Sequence, residues 1–98
     1  MNDILIEKLK NGETVQKRCK GNSMTPIFES GCTVEIEPVD VSDIKKDDVV
    51  FCKVRGMVCC HLVTAVDETK KRFQISNNHG HVNGWTKTIY GRVSRTVS

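Results

Sequence analysis

The apolar positions of this chain change their period once. Ile4, Leu5, Ile6 and Leu9 follow Asn2-Asp3, a capping pair, at helical spacing, and the pattern stops at Asn11-Gly12. This predicts one short helix over residues 3–10, within an N-terminal piece of residues 1–12. From there the period falls to two, and turn formers recur every eight to twelve residues. Thr33-Val34-Glu35-Ile36-Glu37 is the clearest strand: Val34 and Ile36 face one way and the glutamates the other, with Pro38 closing it. Val49 to Val54 is a second strand. Arg55-Gly56 turns the chain into a third, Met57 to Val66, whose apolar residues lie on both faces and which should therefore be central and buried. Arg72 to Ser76 and Lys87 to Val97 supply two more, separated by the polar loop Asn77-Asn78-His79-Gly80-His81-Val82-Asn83-Gly84. The fold class expected is mainly β, a single domain with a short N-terminal helix.

Composition narrows the function. The 98 residues provide for one hydrophobic core, and 38% apolar with 28% charged residues suits a small globule. Fifteen Lys and Arg against twelve Asp and Glu leave +3, and the basic residues are dispersed among acids. Nucleic-acid binding, which needs a concentrated basic stripe, is not expected. The longest apolar run, Met57-Val58-Cys59-Cys60, is far below the roughly twenty residues that cross a bilayer. The chain is expected to be neither anchored nor exported by its own sequence. Five cysteines, two of them adjacent, do not form a disulfide framework, which points to a reducing cytoplasm.

One segment has the form of a constrained turn. In Gly21-Asn22-Ser23-Met24-Thr25-Pro26, glycine opens backbone angles closed to other residues and proline fixes its own φ, with a hydroxyl between them. An arbitrary loop serine does no more than make a turn hydrogen bond. To act as a nucleophile it needs a base to take its proton. His61, in the strand segment Cys59-Cys60-His61-Leu62-Val63, is the candidate, because an imidazole titrating near 6.5 is largely neutral at pH 7. The alternative for His61 is a core histidine satisfied by a backbone carbonyl.

Taken together, Gly21-Asn22-Ser23-Met24-Thr25-Pro26, Glu29-Ser30-Gly31-Cys32-Thr33-Val34, Ile44-Lys45-Lys46-Asp47-Asp48-Val49-Val50-Phe51, His61-Leu62-Val63 and Tyr90-Gly91-Arg92-Val93 resemble the signal peptidase and LexA-like serine peptidase superfamily across residues 20–96. The resemblance implies a compact, coiled β domain in which an extended peptide lies as a strand beside the site. It makes Ser23 the nucleophile and His61, thirty-eight residues on, the general base, as in the histidine-type signal peptidases rather than the lysine-type enzymes and self-cleaving repressors. Gly21 and Met24 flank the serine as substrate-contacting candidates, although Met24 equally suits packing beneath the turn. For the oxyanion, the family nominates the Ser23 backbone N–H, with Asn22 as a supplementary donor.

The sequence also departs from the family. Histidine-type members usually carry an aspartate in the loop that here runs from Ser76 to Asn83, and this loop has no acid. Asn77, Asn78 and Asn83 are the residues available to orient His61, and an amide supplies no charge; in a Ser-His-Asp triad that exchange costs about 10⁴-fold. Cys32 stands where Asp is usual. No membrane-anchoring stretch is present, and no glycine follows alanine or cysteine to serve as a repressor-type cleavage site.

Cys59, Cys60, His61, His79 and His81 raise the question of zinc. On a strand, however, Cys59 and His61 share a face while Cys60 points away, and there is no Cys-x-x-Cys pair. No metal or other cofactor is expected. Trp85 is expected to anchor its loop on the core. Two functions stand: a soluble serine endopeptidase acting on a peptide or protein in extended conformation, slow for want of the acid, or a catalytically weak peptidase-shaped binding or regulatory module of bacterial or phage origin.

Overall fold

A computed structural model describes residues 2–19 and 31–97. Among the described residues, helix α1 (Asn2–Lys10) precedes seven strands: β1 (Val15–Arg18), β2 (Thr33–Glu37), β3 (Val49–Val54), β4 (Met57–Asp67), β5 (Arg72–Ser76), β6 (Val82–Thr86) and β7 (Thr88–Thr96), with a 3₁₀ turn at Val41–Asp43. They form one antiparallel sheet in the order β1-β2-β7-β3-β4-β5-β6. The mainly β class with a short N-terminal helix is therefore as the periodicity indicates. Among the described residues, no helix is long and apolar enough to cross a membrane.

Alternation along the strands builds two cores, one on each face. Leu9, Val15, Cys19, Val34, Ile36, Phe51 and Cys60 fill the first. Ile44, Val50, Cys52, Val54, Val63, Phe73 and Ile75 fill the second. Helix α1 contributes Leu9 to the first face and packs on β7 and β1. The second face is covered by the sheet coiling on itself, with Ile44 and Val39 added from the connection between β2 and β3: β6 contacts β3, although β4 and β5 lie between them in the strand order. Irregularities in the ladders provide this coiling, with register shifts between Phe51 and Cys52, Val63 and Ala65, and Ile75 and Ser76.

The strand expectations hold closely. Val34 and Ile36 are fully buried and β3 occupies the residues anticipated. Arg55 and Gly56 both take positive φ (49° and 78°), as a two-residue hairpin turn requires, and set Val54 opposite Met57 and Cys52 opposite Cys59. β4 is interior to the sheet, paired with β3 and β5, but most of its side chains are half-buried rather than buried. Two strands have no counterpart in the sequence reading. β1, with the single apolar residue Val15, precedes residue 20, and β6 takes the last three residues of the polar loop. Trp85 does not anchor on the core: it is 40% exposed on β6, with the Arg72 guanidinium 4.9 Å from its ring centroid.

β7 joins the two halves between β2 and β3. Its Tyr90 packs on Phe51 with ring centroids 5.6 Å apart, and Arg92 reaches Glu37 at 3.2 Å and Asp48 at 3.7 Å. At Gly91 a Cβ would lie 2.7 Å from both the Glu37 carbonyl oxygen and Ile36 Cγ2. The backbone oxygen has nowhere to go, so Gly91→Ala is expected to destabilise the fold by about 1–3 kcal/mol, measured by denaturant unfolding. Unchanged stability would show that β2 and β7 are not this closely apposed.

Candidate functional site

His61 stands near the middle of β4, paired with Val50 of β3. It shares a face with Cys59 and Val63, while Cys60 points into the first core. β5 ends at Ser76, opposite Leu62, so His61 lies just past the end of that ladder. There the chain leaves through the loop of residues 77–81 and returns as β6. The register jumps from Ile75 opposite Gly84 to Ser76 opposite Val82, leaving Asn83 as the extra residue of a bulge. A bulge re-aims a side chain. Asn83 Oδ1 lies 2.8 Å from His61 Nδ1.

Among the loop asparagines, Asn83 is bonded to the ring. Asn77 works for the loop itself: its Oδ1 accepts from the backbone N–H of His79 (2.8 Å) and of His81 (3.0 Å), and its own N–H donates to the His81 carbonyl. Asn78 is half-buried in the turn that follows. With the amide oxygen accepting from Nδ1–H, the lone pair of neutral His61 resides on Nε2, the tautomer that a general base requires.

The ring has a second polar neighbour. Cys59 lies directly opposite Cys52 of β3 and on the same strand face as His61, and both neighbours act on its ionisation. Its pKa is held below the usual thiol range, first by the Cys52 hydrogen bond and then, against the cost of burial, by His61. Cys52 moves the other way, raised by its bond to Cys59 and by full burial. His61 is raised above 6.5, chiefly by Cys59 and more weakly by Asn83, with burial opposing. These shifts favour a negative sulfur beside a positive ring. The hairpin register, readable from Arg55-Gly56, was the signal that could have paired Cys52 with Cys59.

Gly21, Asn22, Ser23 and Met24 lie outside the described residues; the points where their segment leaves and rejoins the sheet do not. The Cys19 N–H donates to the Cys32 carbonyl (2.8 Å) and the Gly31 N–H to the Cys19 carbonyl (2.6 Å), which closes the base of the segment. Cys19 is buried against Cys60, the residue before His61, and that thiol contact, ahead of burial and helped by Lys17, lowers Cys19 to about 7.

All five cysteines are thiols. Among the described residues no three His, Cys, Asp or Glu side chains converge as metal ligands; Cys60 faces away from Cys59, and His79 and His81 are exposed on the loop. A cavity of about 330 Å³, lined by Asp40, Ile44, Val66, Glu68 and Phe73 among others, contains none of the residues singled out above.

In an NMR titration His61 is expected to ionise above 6.5. Cys59→Ser should lower its pKa by more than Asn83→Ala does, in the order of the two contributions; a wild-type value below 6.5 would contradict the thiol contact. No protein-family model matches this chain, and neither a curated protein nor a solved structure matches it.

Proposed function

We propose that the protein is a serine endopeptidase of the signal peptidase and LexA-like kind, acting in the cytoplasm on peptides bound in extended conformation, with Ser23 as nucleophile and His61 as general base. The single observation that carries this reading is the hydrogen bond from His61 to Asn83. Its Nδ1 is engaged by a side chain that a bulge directs to it, and with the amide oxygen accepting, the basic lone pair of the neutral ring lies on Nε2. A second observation concerns reach. Ser23 follows Cys19 by four residues, a span of up to about 14 Å, and Cys19 touches the neighbour of His61.

In this mechanism Nε2 takes the Ser23 hydroxyl proton as Oγ attacks the scissile carbonyl, and the imidazolium then returns the proton to the leaving amine. Asn83 holds the ring but leaves the imidazolium without a counter-charge on Nδ1. The Cys59 sulfur supplies negative charge from another side.

The amide in place of a carboxylate is also what favours the binding-module reading, and one assay separates the two. Purified protein is incubated with extended peptides and products are followed by mass spectrometry. Ser23→Ala should abolish cleavage, and His61→Ala should lower it by about 10²–10⁴-fold. Turnover that survives both substitutions overturns the assignment; peptide binding without cleavage by the wild type supports the module. Asn83→Asp should accelerate turnover, by up to about 10⁴-fold if the full triad effect is recovered.

The pH dependence has a definite sign. The base must be neutral, and its pKa lies above the ordinary value, so activity should be low at pH 6.5 and rise as pH passes the raised ionisation. In Cys59→Ser the rise should move to lower pH. A profile already flat at pH 6 would remove His61 from the mechanism.

A further inference from the structure

Cys59 has no part in the serine mechanism, yet four features converge on it. It is only half-buried, unlike Cys19, Cys52 and Cys60. It lies two residues before His61 on β4 and so shares a strand face with the imidazole. That imidazole is fixed from behind by Asn83 at 2.8 Å. Directly across on β3 stands the buried Cys52, whose thiol is a hydrogen-bond donor. A sulfur between an imidazole and a hydrogen-bond donor, with the imidazole oriented by an amide, has the ingredients of an activated thiol nucleophile. We propose that Cys59 is a modification site for soft electrophiles, small-molecule disulfides in particular, with His61 as its proton acceptor and Asn83 as the positioning residue for that histidine.

The exchange balances without any further reagent. Cys59 Sγ gives its proton to His61, and the thiolate attacks one sulfur of the disulfide. A new S–S bond forms to Cys59 as the old one breaks. The departing thiolate takes the proton back from the imidazolium, leaving a mixed disulfide on the protein and one free small thiol. With an alkylating agent such as iodoacetamide the same thiolate forms an S–C bond and iodide leaves with the electron pair. The lowered ionisation of Cys59 agrees with this assignment. The proposal stands apart from Ser23 and does not depend on peptide cleavage.

The other four cysteines serve as internal references. The full chain is treated at pH 6.5 with iodoacetamide and, in a parallel reaction, with oxidised glutathione, then digested, and the modification of each cysteine is followed over time by mass spectrometry. An ordinary thiol is only a few per cent ionised near neutrality, so Cys59 is expected to react about tenfold faster than Cys32, the other half-buried cysteine. His61→Ala should bring Cys59 down to the rate of Cys32, and Asn83→Ala should slow it several-fold; the Asn83 variant carries the test if the His61 variant does not fold. The glutathione adduct should map to Cys59 and be removed by reductant. Faster labelling of Cys19 or Cys32, or a Cys59 rate unchanged in both variants, overturns the proposal. Since neither reaction involves a peptide, loss of peptidase activity in Ser23→Ala alongside unchanged Cys59 labelling keeps the two readings distinct.

Discussion

A sheet that is apolar on both faces must find two covers, and among the described residues there is one nine-residue helix to offer. Everything else follows from that shortage. Helix α1 and β1 close one face, while the other is closed by coiling, as the β4-β5-β6 limb bends back until β6 meets β3. Strands bend where a ladder gains a residue, so the bulges are how two cores are buried with so few residues. Asn83 occupies one of them. The contact that makes His61 distinctive is thus a by-product of the constraint that stabilises the fold.

Electrostatically the surroundings of the proposed histidine base are unusual. A carboxylate behind the ring would hold the tautomer and also stabilise the imidazolium; the Asn83 amide does only the first. The compensating charge comes from Cys59, on the same strand and the same face. The arrangement has a consequence for both proposed activities: whichever sulfur chemistry takes place at Cys59 alters the proton affinity of His61. Peptidase and thiol chemistry would therefore be coupled through one imidazole, and the half-burial of both groups keeps the coupling strong, because solvent screens it only partly.

The legible parts of the sequence were those governed by local rules. Val34 and Ile36, alternating with glutamates, could only face a core together, and both are fully buried. Arg55-Gly56 announced a two-residue hairpin whose register follows without further information. Cys59 and His61 share a face because a strand has period two. The misreadings were of the opposite kind. Trp85 was expected inward on grounds of size, but β6 lies at a sheet edge and its register turns that position to solvent, where Arg72 covers the ring. β1 carries too little apolar pattern to be recognised alone and exists because β2 offers it an edge. Val82 to Gly84 has turn-forming composition but pairs with β5.

By itself the sequence determined the class of fold, the main strands, and the residue types from which a serine-histidine chemistry could be assembled, because alternation, turn chemistry and side-chain pKa are properties of neighbours along the chain. That Asn83 meets His61 and that Cys19 rests on Cys60 were decided by the tertiary structure alone, whereas the Arg55-Gly56 hairpin already sets Cys52 against Cys59. Those contacts join residues twenty-two, forty-one and seven positions apart. The first two depend on how a bulged sheet coils, a sum of small angular offsets that no single stretch of sequence contains.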